Sequence, residues 1–337
     1  MTRKPSADKP EPLFTTDLTL ERRFKKAAQK AHQEEHPKFF ERYGSFPTAF
    51  IHTPHLPVTR PGNDVDIWKH EANGGKVTLR KGLYIDRNGE EKAEWAYGGI
   101  PRYLLAAVMS QALRQESQGE DPRHIDLSET LYRFIKEHGL SNSGQTRRTI
   151  TTQLQTLFSS PFTYLNTESY ENRKRLQLAN VNIAQSIDIW VPNGVSTGEK
   201  IEPHITLSNE MIQLLRTGSA APMRLDIYAQ LVKSPFAMDI LNWLGIVTYH
   251  LAQANEKEAA ALYEWEYLSA HFVHNYTRLV DFRGAFKRAV KRIKTDFYPD
   301  LEIDCDYPHP VDKRKTAVAV YKSKLLIPKK QQRALGL

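Results

Sequence analysis

The chain is poor in cysteine and has no long uninterrupted hydrophobic run. Cys305 is its single cysteine, which excludes a disulfide framework or a metal site built from several thiolates of one chain, and fits a reducing compartment. The longest apolar stretch, Phe236 to Ala252, contains Asp239 and Asn242, so it is too short and too polar to span a bilayer. No apolar signal core follows Met1. The sequence therefore predicts a cytoplasmic protein with no membrane partner.

Motifs of the common enzyme classes are also missing. The chain has no phosphate-binding loop for ATP, no dinucleotide-binding glycine pattern, no zinc-protease helix motif and no nucleophile elbow. A nicking enzyme of the rolling-circle kind needs a His-hydrophobe-His metal site, and no His-x-His occurs. We therefore predict that the protein is not an enzyme and uses no cofactor.

Two groups of polar residues have the composition of metal ligands. His271 and His274 are three positions apart on a predicted helix, but no third ligand stands at a known spacing, so two ordinary histidines are the favoured interpretation. Carboxylates alternate along a predicted strand, where they are typical of the solvent face of an edge strand and less often of a Mg²⁺ site. These are Asp300, Glu302, Asp304 and Asp306. We predict no metal site.

The charge of the chain is positive and unevenly distributed. Its 337 residues carry 47 Lys and Arg against 39 Asp and Glu, a net charge of +8. Residues 46–97 and 98–220 are each balanced, whereas residues 1–45 have a net charge of +3 and residues 221–337 a net charge of +5. Between Arg278 and Lys294 there are seven basic residues and one acid, Asp281. Such a local excess indicates a surface for a polyanion, and a solvated helix face is the alternative.

The length predicts about two domains, and the glycine and proline residues that interrupt helices and strands suggest where these domains lie. Residues 1–45 are predicted to be a polar tail, disordered over 1–17 and helical over 19–35. Residues 46–97 combine a proline-rich stretch, in which four prolines exclude a helix, with a hairpin turning at Asn88-Gly89. Residues 98–220 and 221–330 are the two predicted domains, and residues 331–337 are a C-terminal tail.

The two domains show the same predicted order of elements, three helices followed by strands. In the first, helices begin near residues 100, 128 and 144. In the second, they begin near residues 235, 263 and 281, so the first and third helices start 44 and 46 residues apart. Three helices followed by a β-hairpin is the order of a winged helix, whose third helix lies in the DNA major groove. The sequence therefore predicts an α+β chain with tandem winged-helix domains.

The third helix of the second domain, residues 281–297, has two chemically different faces. Helical spacing places one group of residues in an apolar stripe, namely Phe282, Phe286, Ala289, Val290, Ile293 and Phe297. The other group is cationic and predicted to face outward towards DNA, namely Arg283, Lys287, Arg288, Lys291, Arg292 and Lys294. Each phosphate that such a face neutralises releases counterions, so binding should be strong and salt-dependent.

Two further elements are candidates for DNA contact. The third helix of the first domain, residues 144–158, presents Arg147, Arg148, Thr152 and Gln155, which can bind phosphates or base edges, although a neutral surface is the alternative. The basic turn before the last predicted strand, with Lys313, Arg314 and Lys315, is the predicted wing.

Three stretches of the chain have the pattern of a known family. They are Trp95-Ala-Tyr-Gly-Gly-Ile-Pro-Arg-Tyr-Leu-Leu105, Ser234-Pro-Phe-Ala-Met-Asp-Ile-Leu-Asn-Trp-Leu244 and Asp281-Phe-Arg-Gly-Ala-Phe-Lys-Arg-Ala289. These stretches resemble plasmid-encoded RepA replication initiators, and the resemblance covers residues 95 to 300. It implies binding to repeated sites, called iterons, in the double-stranded DNA of a plasmid origin. It also implies help in opening the AT-rich duplex, recruitment of the host helicase and initiator proteins, and a monomer–dimer switch with repression of its own promoter.

The residues alone leave a second function open. A transcriptional regulator with two winged helices needs the same surfaces as an origin-binding initiator. For a homodimer, the charge-balanced region with the 77–97 hairpin and the helix after it is the predicted contact, because its hairpin offers edge strands.

Overall fold

The computed structural model describes residues 37–52, 55–72, 75–86, 88–137, 143–170, 173–190, 202–254, 260–312 and 314–335. Within these residues lie eleven helices and fourteen strands, so the α+β class is confirmed. Residues 1–36 of the predicted tail, with its helix at 19–35, lie outside the described residues, whereas residues 37–45 form a short helix and the start of a strand. The domain boundaries inferred from the sequence remain predictions.

The region before residue 95 consists of short elements. They are α1 (Pro37–Arg42), β1 (Tyr43–Pro47), α2 (Thr48–His52), β2 (Trp68–Ala72), β3 (Gly75–Leu79), β4 (Gly82–Ile85) and β5 (Glu91–Glu94). Strands β4 and β5 form the hairpin predicted around Asn88-Gly89, and Gly89 has a φ of 79°. The prediction that prolines exclude a helix here was wrong, because one turn of helix, α2, fits between Pro47 and Pro54.

A helical unit with two kinds of sheet follows. Its elements are α3 (Gly99–Gln118), β6 (His124–Asp126), α4 (Ser128–Glu137), α5 (Gly144–Ser159), β7 (Pro161–Tyr170), β8 (Arg173–Asn182), β9 (Ala184–Trp190) and β10 (Glu202–Leu207). Strand β10 lies between β6 and β9, with Ile205 opposite both Ile125 and Ile187. We call α3, β6, α4, α5, β9 and β10 the first unit.

The hairpin of β7 and β8 is inserted between α5 and β9. It extends a separate four-stranded sheet whose order is β2-β3-β7-β8. By composition, residues 77–85 and residues 176–190 each resemble one continuous strand. Each is two strands in the structure, since β3 pairs with β7 while β4 pairs with β5, and a break at Ile183 separates β8 from β9.

Three short elements connect this unit to the next. They are α6 (Asn209–Thr217), β11 (Ala220–Arg224) and α7 (Leu225–Gln230). The side chain of Ser208 accepts a hydrogen bond from the Met211 amide and so caps α6. Strand β11 pairs with β1, which ties the connection to the region before residue 95.

The last part of the chain repeats the order of the first unit. Its elements are α8 (Pro235–Gln253), β12 (Ala260–Glu264), α9 (Trp265–His271), α10 (Leu279–Asp296), β13 (Ile303–Pro308) and β14 (Thr316–Tyr321), and a final helix α11 (Lys329–Ala334) follows them. We call α8 to β14 the second unit. Its sheet has the order β12-β14-β13. In both units, therefore, the last strand lies between the strand after the first helix and the strand after the third helix.

A buried ion pair joins the two units. Arg102 of α3 donates from Nε and Nη2 to the two carboxylate oxygens of Asp239 in α8, each at 2.9 Å. The side chains are 4% and 10% exposed. The guanidinium also donates to the backbone carbonyls of Leu56, Pro57 and Gly98. Arg102 thus satisfies acceptors from three separate segments in the interior.

At the start of α3, the structure requires glycine at Gly98 and at Gly99 for different reasons. Gly98 has a φ of 79° and a ψ of −159°, a conformation that only glycine adopts readily. At Gly99 the backbone of Val232 approaches so closely that a Cβ atom would lie 1.8 Å from its carbonyl oxygen. The start of α3 is therefore packed directly against the segment that precedes α8.

Candidate nucleic-acid interface

Helix α10 is anchored by the apolar stripe predicted from its sequence. Phe282, Phe286, Val290 and Ile293 are all buried. The ring of Phe286 packs edge-on against Trp265 of α9 at 5.5 Å between centroids. These contacts pack one face of α10 against the rest of the second unit, so the opposite face is available to solvent.

The outer face of α10 carries exposed cations. Arg288, Lys291 and Arg292 are exposed, and the Nε atom of Arg292 lies 3.7 Å from a carboxylate oxygen of Asp296. No ion-pair partner for Arg288 or Lys291 occurs among the described residues. Their charges therefore face the solvent, where a polyanion can neutralise them.

Two of the predicted DNA contacts are turned towards the sheet of the second unit. Arg283 donates from Nη2 to Oγ1 of Thr316 at 2.6 Å, and its guanidinium lies 5.2 Å from the ring centroid of Trp265. Lys287 forms an ion pair with Asp306 of β13 and also lies over Trp265, at 5.9 Å. The expectation that six cations face outward is corrected by these contacts, because Arg283 and Lys287 occupy a flank of the helix. Lys294 is also half-buried.

The one acid of the cationic stretch is already paired. Asp281 accepts from Nε and Nη2 of Arg278 at 2.7 and 2.8 Å. This hydrogen-bonded pairing lowers the pKa of Asp281 below its ordinary value and raises the pKa of Arg278. The carboxylate therefore stays charged and neutralises Arg278 at the start of α10, leaving the rest of the helix strongly positive.

The turn between β13 and β14 is held by backbone hydrogen bonds to one histidine. Nδ1 of His309 accepts from the amides of Val311 and Asp312, and the His309 amide donates to the carbonyl of Lys315. Arg314 and Lys315 are exposed on this turn, and Nζ of Lys315 is 3.8 Å from Glu266. Lys313, the third basic residue of the predicted wing, lies outside the described residues.

Helix α5 of the first unit is partly covered. The carbonyl oxygen of the Gln155 side chain accepts from the Ile85 amide at 2.9 Å, and Oγ of Ser159 accepts from the Leu83 amide at 2.8 Å, so β4 lies along the C-terminal half of the helix. The carbonyl oxygen of the Gln155 side chain, predicted to read base edges, thus supports a hairpin. Thr156, the next residue along the helix, is fully buried.

The N-terminal half of α5 remains more accessible. Ser143 caps the helix by accepting from the Thr146 amide at 3.2 Å. Arg148 is exposed, while Arg147 and Thr152 are half-buried. Of the four contacts predicted for this helix, Arg148 is therefore the one with an exposed side chain.

Two side chains with nucleophilic or metal-binding chemistry are enclosed to different extents, since Cys305 is half-buried and His271 is buried. Burial raises the pKa of Cys305, on β13, to about 11, which keeps its thiol protonated at neutral pH. His271 is buried and stacks on Tyr267. Among the described residues, no three or more His, Cys, Asp or Glu side chains lie close enough together to hold a metal ion.

Replacing Asp306 by asparagine is expected to strengthen binding to DNA. The variant removes the carboxylate that neutralises Lys287, so one more cation becomes available at the edge of α10. We expect affinity for duplex DNA at low salt to rise roughly threefold to tenfold, with a steeper salt dependence. Fluorescence anisotropy against salt concentration measures both quantities.

Asp300→Asn is the matched control for this change. Asp300 is an exposed acid near β13 that pairs with Lys324 and not with α10. An equal gain in affinity from both variants would mean that net charge alone is responsible, which contradicts a specific role for Lys287.

The fold thus defines an α+β protein of two topologically equivalent units, with a cationic helix exposed on the second. Comparison with known families gives a match to the model for plasmid-encoded RepA proteins over residues 95–267, just over half of the 337 residues. The chain therefore belongs to the plasmid-encoded RepA family of replication initiators, which confirms the resemblance seen in the sequence. The matched region begins before α3 and ends within α9, so α10 lies beyond it.

Two solved structures are similar to this chain. A crystal structure of a selenomethionine derivative of domains 2 and 3 of RctB matches with a TM-score of 0.50 and 11% identity, covering 82% of this chain and 97% of that one. A second crystal structure of RctB domains 2–3 matches with a TM-score of 0.41 and 10% identity over 81% and 95% of the two chains. No curated protein matches the chain. None of the helices within the described residues is both long and apolar enough to cross a bilayer.

Proposed function

We propose that the protein initiates plasmid replication by binding repeated sites in double-stranded origin DNA through two winged-helix units. The observation that carries this proposal is the exposed cationic face of α10, with Arg288, Lys291 and Arg292, on the third helix of the second unit. The shared order helix-strand-helix-helix-strand-strand, with the last strand in the middle of each sheet, supports the winged-helix assignment.

The unequal exposure of the two third helices supports a division of labour. Helix α10 presents three exposed cations, whereas β4 covers the C-terminal half of α5. The second unit then supplies most of the electrostatic affinity, and the first unit adds contacts from the N-terminal half of α5 around Arg148. Two units on one chain should cover two adjacent major-groove segments about one helical turn apart.

The later steps of initiation are part of the same proposal. Bending and binding energy open the neighbouring AT-rich duplex without ATP hydrolysis, the host helicase and initiator proteins are then recruited, and a homodimer represses the promoter. The protein acts without enzymatic activity of its own, so we expect no nicks in supercoiled plasmid incubated with it and Mg²⁺ or Mn²⁺.

Changing Arg288 and Arg292 to alanine is expected to weaken DNA binding while leaving the fold intact. The apolar face of α10 is untouched, and exposed substitutions usually change the free energy of unfolding by about 0.5 kcal/mol or less. Each lost phosphate contact lowers the slope of log K against log salt by about one, whereas a lost guanine pair relaxes one base position. The probe is a duplex selected by the wild-type protein from a random-sequence pool, and affinity is measured against salt.

The control removes the same charge elsewhere. Lys329→Ala/Lys330→Ala takes two exposed cations from α11 and should leave the salt slope close to that of the wild type. A double variant of α10 with wild-type affinity, wild-type slope and an unchanged melting temperature would show that the cationic face is solvated surface only. Footprinting of the origin on the plasmid that carries the gene then separates an initiator from a regulator without an origin role.

A further inference from the structure

Helix α10 contains an interior glycine that the folded chain does not require. Gly284 is flanked by five residues of the helix on its N-terminal side and twelve on the other. Glycine is the least favourable residue after proline in a helix interior, because it loses the most backbone freedom on folding. Its presence there needs a reason.

Packing within the chain supplies no such reason. A Cβ atom at Gly284 would meet only a terminal guanidinium nitrogen of Arg288, at 3.4 Å, and that flexible end can move aside. The described glycines with positive φ are Gly89, Gly98 and Gly119, so Gly284 has no special backbone conformation either. Gly99 shows the contrast, since the Val232 backbone occupies the space of its missing side chain.

The position of Gly284 on the helix indicates what the space is for. It lies on the side opposite the buried stripe, one turn after Val280, which is 63% exposed, and one turn before the exposed Arg288. The outer face therefore carries short side chains over its N-terminal half and long cationic ones, Arg288 and Lys291, over its C-terminal half. Such a helix can come closer to a partner at its N-terminal half.

The dimensions of DNA match this tapered face. A helix with its side chains is about 10–12 Å across, and the major groove is about 12 Å wide and 8.5 Å deep, so the depth of insertion depends on the outermost side chains. Recognition helices contact base edges with their N-terminal residues. The long cations further along α10 have the reach to bind phosphates at the groove wall.

We propose that α10 enters the major groove with its N-terminal half foremost, and that the backbone of Gly284 lies in contact with the edges of the base pairs. This inference rests on the proposed DNA-binding function and extends it to a residue without charge. Gly284 is then a positioning residue, because the depth that it permits lets Val280 reach the groove floor and Arg288 the phosphates.

The test adds side-chain volume at Gly284 and keeps every charge. Gly284→Ala and Gly284→Leu are compared with wild type on the selected duplex, and Gly245→Ala is the matched control. Gly245 is also interior to a long helix, α8, with no atom within 4 Å of an added Cβ, and it lines a groove with Ala221 and Leu326 away from α10.

Stability and affinity should change in opposite directions at Gly284. All three variants should melt higher than wild type, by about 2 °C, because alanine and leucine favour helix. Gly284→Ala should bind about tenfold more weakly and Gly284→Leu about a hundredfold more weakly, with the salt slope unchanged since no cation is lost. Gly245→Ala should bind like wild type.

The outcomes separate this inference from the function on which it rests. Wild-type affinity in both Gly284 variants, while Arg288→Ala/Arg292→Ala binds poorly, would overturn the close approach at Gly284 and leave the DNA-binding proposal standing. A wild-type protein that selects no duplex would overturn both. An equal loss of affinity in Gly245→Ala would mean that added helix stability is responsible, which also contradicts the inference.

Discussion

Arg102→Ala should destabilise the protein by about 3–5 kcal/mol, because removing one partner of a buried ion pair leaves an uncompensated charge in the interior. The variant leaves the carboxylate of Asp239 without its guanidinium and removes the donors of three backbone carbonyls, those of Leu56, Pro57 and Gly98. Urea denaturation followed by circular dichroism measures the loss. Asp239→Ala should cost less, since Arg102 keeps its three carbonyl partners.

An exposed arginine provides the comparison. Arg216 pairs with Glu116 at 3.2 Å, but its side chain is 51% exposed, so Arg216→Ala should cost about 1 kcal/mol or less. A loss at Arg102 no larger than the loss at Arg216 would show that the buried pair does not hold the two units together. The double variant Arg102→Met/Asp239→Leu should recover part of the stability, because it removes both charges and leaves only the carbonyls without donors.

Gly99→Ala should cost about 3 kcal/mol or more, at the upper end of the range for overpacked sites. A Cβ atom there would lie 1.8 Å from the carbonyl oxygen and 2.6 Å from the carbonyl carbon of Val232, and backbone atoms cannot rotate away as a side chain does. The added methyl group would therefore force the start of α3 away from the segment that precedes α8. The midpoint of urea denaturation reports the change.

Two other glycines separate the cost of steric crowding from the cost of an unfavourable backbone conformation. Gly98→Ala meets only one atom, at 3.9 Å, so its cost of about 1–3 kcal/mol should come from its φ of 79°. Gly144→Ala, at the exposed start of α5 with nothing near, should be neutral or stabilising. A Gly99→Ala variant as stable as Gly144→Ala contradicts the close approach of Val232.

The local elements could be predicted because their signals lie within one turn of chain. The apolar stripe of α10 follows from helical spacing, and five of its six predicted members are buried, with Phe297 half-buried. The hairpin at Asn88-Gly89 follows from the ease with which glycine adopts positive φ. Pro101 lies in the first turn of α3, where proline is tolerated because the amide that it lacks has no partner within the helix.

The accessible part of the candidate site was harder to predict. A helical wheel separates the core from the surface, but it does not show which surface residues a neighbouring element covers. Lys287 of α10 pairs with Asp306 of β13, and the side chain of Gln155 accepts a hydrogen bond from the amide of Ile85, seventy residues earlier in the chain. In both cases the two residues are too far apart in the sequence for helix or strand periodicity to predict the contact.

By itself, the sequence determined the family, the α+β class, the repeated order of helices and the cationic character of the third helix of the second unit, because each of these is a property of composition or of short-range periodicity. The tertiary structure alone decided which cations of that helix reach solvent, how the strands are ordered in each sheet, and that Arg102 meets Asp239 over 137 residues. These depend on contacts between distant segments, whose energies arise from packing and desolvation that exist only once the chain has folded.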